Sequence, residues 1–155
     1  AYGPRSRTTN VYGAVIGVFL KQKISNYPLT IVGKGDQKRD FLFVTDLCEA
    51  FYKAGISSYK NEIFNLGSGS PQSINRLASL ISNKKIYIPW RPGEPKITHA
   101  NISKIKKYLK WSPKTNLDQG IKEVIRNLDY WKKAPLWTKN RIKQATKSWN
   151  KFLKK

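Results

Sequence analysis

Several residue types on which common catalytic and structural sites depend are scarce or missing in this chain. Its 155 residues contain no methionine, one cysteine (Cys48) and one histidine (His99). A single cysteine excludes an internal disulfide, and the two residues together supply too few ligands for a structural zinc site. No apolar run approaches the roughly 20 residues that a membrane-spanning helix needs. We therefore expect no disulfide, no metal site and no membrane span, and a reduced cysteine is compatible with a cytoplasmic location.

Methionine is missing even at position 1. Because natural chains begin with methionine, its absence favours a processed chain or a fragment. The chain opens with Ala-Tyr-Gly-Pro-Arg at 1–5, which is typical of a strand end that runs into a turn. We therefore expect a fragment that starts within a domain.

Acidic residues are also scarce, since 9 of them face 30 lysines and arginines and leave a net charge of +21. Residues 104–155 alone carry 16 basic and 3 acidic residues. One explanation is a basic module that binds nucleic acid or an anionic surface. The other is a compositional bias toward lysine with the charge spread over solvated faces. Lysine outnumbers arginine 23 to 7, which favours the second explanation.

Intact nucleotide and catalytic motifs are missing as well. The glycine-rich loops at 33–39 and 67–70 lack the third glycine of a dinucleotide fingerprint, and there is no P-loop. No tyrosine is followed four residues later by lysine, the spacing at which an ammonium group lowers the pKa of a phenol. We expect both loops to be turns, Cys48 to lie in the core and His99 to lie in a loop.

Short apolar runs alternate with segments of helical periodicity, which predicts an α/β fold. Predicted strands cover 29–32, 41–44, 62–66 and 85–88, and predicted helices cover 11–24, 46–57, 73–81 and 118–133. A further short basic helix is predicted to begin at Asn101 or Ser103 and to end at Leu109. Thr45 and Ser73 stand at N-cap positions of two of these helices. After a hinge at 132–135, Thr138 is expected to cap one basic amphipathic helix within 135–155. Its apolar stripe would be formed by Ile142, Ala145, Trp149, Phe152 and Leu153.

Two arginines on separate loops are the most informative feature. Arg39 and Arg91 each stand close to turn-forming glycines, and Glu94 follows three residues after Arg91. A guanidinium is a permanently charged planar fork that meets phosphate oxygens in pairs, so two converging forks suit a diphosphate. A carboxylate beside them suits ribose hydroxyls. The sequence thus predicts half of a nucleotide-binding site. Asp40 is expected to accept hydrogen bonds from backbone amides or to pair with Arg39.

The order of short motifs along the chain resembles the carboxyl-terminal half of the extended short-chain dehydrogenases/reductases, the NAD-dependent nucleotide-sugar epimerase/dehydratase family. The resemblance covers almost the whole chain up to residue 134. Its motifs are Tyr-Gly-Pro-Arg at 2–5, Ala-Val-Ile at 14–16, Pro-Leu-Thr-Ile-Val-Gly at 28–33, Gly-Asp-Gln-Lys-Arg-Asp-Phe at 35–41, Val-Thr-Asp at 44–46, Phe-Asn-Leu-Gly-Ser-Gly at 64–69, Ser-Ile at 73–74, Arg-Pro-Gly-Glu at 91–94, Ser-Lys at 103–104 and Trp-Ser-Pro-Lys at 111–114.

The resemblance implies a Rossmann-like fold completed by a small α/β substrate-binding lobe, with 1–134 as the substrate-binding half and 135–155 as the added helix. It implies that Arg39 and Arg91 grip the diphosphate of a nucleotide-sugar and that Glu94 meets the ribose. Asn65 would be a polar neighbour of the nucleotide.

The same resemblance places Ala14 and Val15 beside the base, and Tyr2, Gly3 and Pro4 near the nicotinamide of NAD. The glycine fingerprint and the Tyr/Lys couple belong to the other half of the family's fold, so the chain alone is expected to be inactive. A homodimer is possible for the complete enzyme.

Position 32 bears on the nucleotide. Dehydratases that act on dTDP-glucose often carry an aromatic residue there, to stack on thymine, whereas this chain has Val32. The difference favours a UDP-linked sugar and a 4-epimerase over the alternative, a 4,6-dehydratase.

Overall fold

The computed structural model describes residues 1–6 and 15–153, with only the backbone of residues 149, 150 and 153. It is a mixed α/β structure, as the sequence predicts. In chain order its elements are α1 (Val15–Ile24), β1 (Leu29–Val32), β2 (Lys38–Arg39), α2 (Val44–Ile56), β3 (Gln72–Ser73), α3 (Ile74–Ile81), β4 (Lys85–Ile88), α4 (Ser103–Leu109), α5 (Leu117–Arg126), a 3-10 turn (Leu128–Trp131), α6 (Lys139–Ala145) and α7 (Lys147–Leu153). The described part of the predicted helix at 11–24 is confirmed, and residues 11–14 lie outside the described ranges.

The two predicted strands richest in β-branched residues are confirmed and pair with each other. β1 and β4 are parallel, with Leu29 opposite Lys85 and Val32 opposite Ile88. Every residue of β1 is buried, which is typical of a parallel strand covered on both faces. Helices α1 and α3 lie against β1 and against each other, and they bury Phe19, Leu20, Leu77 and Ile81 in the larger of two apolar cores.

The predicted strand at 41–44 is reduced to a single bridge. Phe43 pairs with Tyr2. The Tyr2 amide donates to the Leu42 carbonyl at 2.9 Å, and the Tyr2 carbonyl accepts the Val44 amide at 2.8 Å. Val44 already begins α2, so the helix starts two residues before the predicted position and Phe43, not Thr45, occupies its N-cap. The N-cap at Thr45 was therefore wrong, because the bridge to Tyr2 fixes where the extended backbone ends.

The predicted strand at 62–66 is wrong, since no strand forms there in the described chain. Phe64 and Leu66 pack against the second core, which contains Leu42, Ile105 and Trp111, while Ile63 is 82% exposed. Residues 63–66 thus alternate between exposed and partly buried, although no strand pairs with them in the described chain. Cys48 is exposed on α2, so its assignment to the core was also wrong.

Helix ends follow side-chain capping where the sequence offers it. Ser73 caps α3 as predicted, and its hydroxyl accepts the Arg76 amide at 3.1 Å. The next long helix begins at Leu117, since Asn116 and Gln119 form a capping box. It ends at Arg126, before the predicted end at 133, and the 3-10 turn that follows buries Trp131.

The carboxyl-terminal segment is two short helices and not the single helix that periodicity predicts. Thr138 caps α6 as expected. Thr146 then interrupts the helix, because its hydroxyl donates to the Ile142 carbonyl at 2.8 Å and its backbone leaves the helical conformation. Phe152 is 77% exposed, so the proposed apolar stripe is not buried as a unit, and the side chains of Trp149 and Leu153 lie outside the described atoms. None of the described helices has the length and apolar character to cross a membrane.

Candidate functional site

A tight loop between β1 and β2 positions the first arginine. Gly35 has φ +73°, and a Cβ there would lie 2.2 Å from the Asn75 side-chain oxygen, so the turn requires glycine. The loop turns Gln37 inward, where its Nε2 donates to the Val32 carbonyl at 3.0 Å and the residue is 4% exposed. Arg39 follows at the end of β2.

Strand β2 lies between two other segments, and this arrangement brings the arginine loops together. On one side Lys38 and Arg39 pair with Ser73 and Gln72 of β3. On the other side the Lys38 amide donates to the Lys96 carbonyl at 2.8 Å, and the Lys38 carbonyl accepts the Thr98 amide at 3.1 Å. The loop at 89–98 is therefore fixed beside Arg39 by backbone hydrogen bonds.

Arg39 and Arg91 converge on one carboxylate. Arg39 Nη2 donates to Glu94 Oε1, and its Nη1 donates to the Pro95 carbonyl at 2.8 Å. Arg91 Nε lies 3.7 Å from Glu94 Oε2. The three side chains are between 19% and 23% exposed, so solvent screens this cluster less than a surface ion pair. With two guanidiniums and one carboxylate, the cluster keeps one net positive charge.

The cluster forms one wall of a cavity of about 110 Å³. The lining residues come from five parts of the chain and include Val15, Val18, Phe19, Thr30, Val32, Gln37, Arg39, Ile74, Ile88, Arg91, Glu94, Trp137 and Ile142. Ligand pockets usually measure about 300–1,000 Å³. This cavity therefore accommodates one moiety of a ligand, with charge at one wall and apolar side chains at the others.

Three polar atoms of the cavity lining are buried without a hydrogen-bond partner among the residues that the structure describes. They are the Gln37 Oε1, the Arg91 Nε and the Trp137 Nε1. A buried polar atom normally has a partner. The set of one acceptor and two donors therefore points to a polar ligand.

The sequence reasoning missed Gln37 and Trp137. Gln37 carries no signal beyond its position two residues before Arg39, and Trp137 stands in a segment that the family motifs do not cover. Of the base neighbours that were predicted, Val15 lines the cavity, whereas Ala14 lies outside the described residues. Asn65 is exposed and is not part of the cavity lining, so this cavity does not support its role as a nucleotide neighbour.

The predicted cofactor neighbours lie away from this cavity. The Tyr2 ring packs edge-on against Phe41 and Phe43, and burial, followed by the charges of Asp46 and Asp118, raises the pKa of its phenol. Gly3 is buried against Val44, and Pro4 follows it. Within residues 1–6 and 15–153 we find no glycine-rich cradle for a dinucleotide. The described residues therefore do not fit NAD by themselves.

Asp40, next to Arg39, holds the glycine-rich loop at 67–70 in place through hydrogen bonds. Its carboxylate accepts the amide and hydroxyl of Ser68, the Gly69 amide at 3.3 Å and the Ala100 amide at 3.0 Å. Burial acts to raise the pKa of Asp40, but these hydrogen bonds outweigh it and hold the pKa below its usual value. The predicted pairing with backbone amides is confirmed, whereas Arg39 pairs with Glu94 instead.

The chain matches a protein family model described as GDP-mannose 4,6 dehydratase over residues 1–124. It is 34% identical over 134 residues to a putative UDP-glucose 4-epimerase of Methanocaldococcus jannaschii, covering 77% of this chain and 43% of that protein.

Solved structures give the same result. The UDP-glucuronic acid 4-epimerase of Bacillus cereus in complex with UDP-glucuronic acid and NAD is 31% identical with a TM-score of 0.74, over 83% of this chain and 42% of that one. The UDP-N-acetylglucosamine 4-epimerase of Methanobrevibacter ruminantium in complex with UDP-N-acetylmuramic acid is 28% identical with a TM-score of 0.76, over 83% and 43%.

The chain thus spans about two-fifths of the length of these relatives, and its fold matches the corresponding part of theirs. The family model covers most of its residues. The chain belongs to the NAD-dependent nucleotide-sugar epimerase/dehydratase family.

Proposed function

We propose that the chain is the substrate-binding, carboxyl-terminal part of a nucleotide-sugar 4-epimerase and that it holds the diphosphate of a UDP-sugar. The observation that carries this proposal is the convergence of Arg39 and Arg91 on one carboxylate at the wall of a cavity. The two side chains lie 52 positions apart in sequence and on different loops. Such an arrangement supplies the paired donors that phosphate oxygens accept.

Glu94 has two roles in this proposal. Without a ligand its carboxylate neutralises one of the two guanidinium charges, which limits the cost of holding two partly buried cations near each other. When a diphosphate binds, the guanidinium donors turn to the phosphate oxygens. The carboxylate is then free to accept hydrogen bonds from ribose hydroxyls.

The contribution of these residues to the reaction is binding and orientation. When NAD is bound in the complete enzyme, it supplies the redox chemistry at the sugar. The described residues form no cradle for NAD, and the chain has no Tyr-x-x-x-Lys couple. The contacts of Arg39 and Arg91 with the diphosphate lie away from the reacting carbon of the sugar. Their binding energy therefore serves to hold the sugar in place. We expect the chain to bind a nucleotide and to show no epimerase turnover alone.

Support for a UDP-sugar and for epimerisation comes from the relatives named above, whose names specify UDP-sugars and 4-epimerases. The alternative, a 4,6-dehydratase, is favoured by the description of the matching family model. Both alternatives require the same diphosphate grip. A cytoplasmic location and a homodimeric complete enzyme stay predictions.

The test is to titrate UDP with the 155-residue chain and with the variants Arg39→Ala and Arg91→Ala. Ligand-observed NMR monitors binding in each titration. We expect each substitution to cost about 2–4 kcal/mol of binding free energy, or a thirty-fold or greater loss of affinity, because the diphosphate loses one of its two guanidinium partners.

The matched control is Arg126→Ala. Arg126 also pairs with a glutamate three residues away, Glu123, but it is exposed on α5 and is not part of the cavity lining. Its affinity for UDP should equal that of the unmodified chain. Unchanged affinity in both cavity variants, or an equal loss in all three, would remove the proposed roles of Arg39 and Arg91.

A further inference from the structure

The segment 132–146, which follows the part of the chain matched by the family model, is held against α1 and the turn after it by hydrogen bonds, one of them from a buried glutamine. Gln22 is fully buried, and its Nε2 donates to the Trp137 carbonyl at 2.7 Å and to the Thr30 hydroxyl at 2.8 Å. Lys21 Nζ donates to the Lys132 carbonyl at 2.6 Å, and the Lys139 amide donates to the Tyr27 hydroxyl at 3.2 Å. The segment is therefore a fixed part of the fold.

This attachment places two side chains of the segment in the cavity. Trp137 and Ile142 line it together with Val15, Val32 and the arginines. The Trp137 indole Nε1 is buried and has no hydrogen-bond partner among the described residues. An indole N–H only donates, so the ligand moiety next to Trp137 needs an acceptor atom.

Gln37 adds the opposite requirement. Its amide orientation is fixed, because the Val32 carbonyl can only accept and must therefore face the Gln37 NH₂ group, at 3.0 Å. The other atom, Oε1, is buried and has no partner in the part of the chain that the structure describes. A carbonyl oxygen repels unprotonated phosphate oxygens. It suits a ligand that offers an N–H or O–H donor.

A nucleobase meets both requirements. Its polar edge carries a carbonyl acceptor beside an N–H donor, and its flat faces suit the apolar side chains of Val15, Val18 and Ile142. A diphosphate offers acceptors alone and fits the arginine wall instead. The volume of about 110 Å³ admits one such moiety.

We propose that segment 132–146 is a built-in wall of the nucleotide site and that the Trp137 indole N–H, with the Gln37 side-chain carbonyl, binds the polar edge of the base. This inference rests on the proposed function, since it identifies the base-binding end of the same site. It assigns a specificity-determining residue to a segment that lies beyond the family model's match.

The test compares UDP with inorganic pyrophosphate as ligands of the full chain and of Trp137→Phe. Phenylalanine keeps an aromatic ring but removes the N–H donor and part of the indole volume, so the pyrophosphate affinity reports any general loss of packing. We expect the affinity for UDP to fall about five- to ten-fold, the effect of one lost hydrogen bond, and the affinity for pyrophosphate to stay the same. The control Trp90→Phe changes an exposed tryptophan outside the cavity lining and should alter neither affinity.

A second measurement does not depend on the stability of the variant. The indole N–H signals of the five tryptophans are followed by NMR in the unmodified chain during a UDP titration. The Trp137 signal should shift, while that of Trp131, also buried and unpartnered in the described structure but outside the cavity lining, should stay in place.

The outcomes separate the two proposals. If UDP binds through Arg39 but Trp137→Phe binds it equally well and the Trp137 signal does not move, this inference is wrong and the proposed function stands. An equal loss of UDP and pyrophosphate binding assigns Trp137 a structural role and also overturns the inference. If the unmodified chain does not bind UDP at all, both proposals fail.

Discussion

A single carboxylate explains why two distant arginines converge. Glu94 accepts Arg39 and lies 3.7 Å from Arg91 Nε, so the residues predicted to contact the ligand contact one another in its absence. The sequence singled out all three because two arginines beside turn-forming glycines, with an acid three residues after the second, are typical of a diphosphate site. It did not reveal Gln37, since the direction of that side chain depends on the backbone turn at Gly35.

Asp40 supplies a prediction at the scale of one side chain. Asp40→Asn replaces one carboxylate oxygen by an NH₂ group that faces the donors of Ser68, Gly69 or Ala100. We expect a loss of about 1.5–3 kcal/mol in the free energy of unfolding at pH 7, typical of hydrogen bonds to a charged group. Urea denaturation measures it.

The pH dependence of that difference follows from the lowered pKa of Asp40. A carboxylate whose pKa is lower in the folded state stabilises the fold fully above its unfolded pKa of about 3.9. This contribution is lost as the pH falls below that value and through the folded pKa. The gap between the unmodified chain and the variant should therefore narrow below about pH 4, and a gap independent of pH would show that the Asp40 charge is not what fastens the loop.

At the scale of elements, sequence patterns predicted correctly those strands and helix ends that are determined by interactions within a few residues. Strands β1 and β4 and the Ser73 cap of α3 agree with the sequence pattern, because β-branched runs and N-cap hydroxyls act over a few residues. The prediction of a strand at 62–66 was wrong because a strand needs a neighbouring strand to pair with, and periodicity does not reveal one. The prediction of one continuous helix across Thr146 was wrong for a related reason. The sequence does not show whether a threonine hydroxyl faces solvent or bonds to a helical carbonyl.

The attachment of the carboxyl-terminal segment gives a prediction for these elements. Gln22→Met keeps a side chain of similar volume but leaves the Trp137 carbonyl and the Thr30 amide without their partner. We expect a loss of about 1–3 kcal/mol in the free energy of unfolding, together with faster tryptic cleavage at Lys139, Arg141 or Lys143. Mass spectrometry of the early fragments identifies the cleavage sites.

The control for that experiment is Gln144→Met, which changes an exposed glutamine of α6 and should leave the cleavage rate as it is. Early cleavage elsewhere in the Gln22 variant, with the segment still protected, would mean that Gln22 does not hold segment 132–146 in place.

At the scale of the whole molecule, the sequence predicted the family, because its motifs occur in order over most of the chain. The complete site was not predictable. Trp137 is held at the cavity by contacts with residues more than a hundred positions earlier, among them the hydrogen bond from Gln22 to its carbonyl. The net charge of +21 supports a competing hypothesis, a basic binding module, since 16 of the 30 basic residues stand in 104–155.

The most direct measurement is a crystal structure of the chain grown with UDP. We expect the diphosphate between the guanidiniums of Arg39 and Arg91, with Glu94 turned to the ribose. A diphosphate bound to the lysines of 104–155, while both arginines keep their contacts with Glu94, would contradict it.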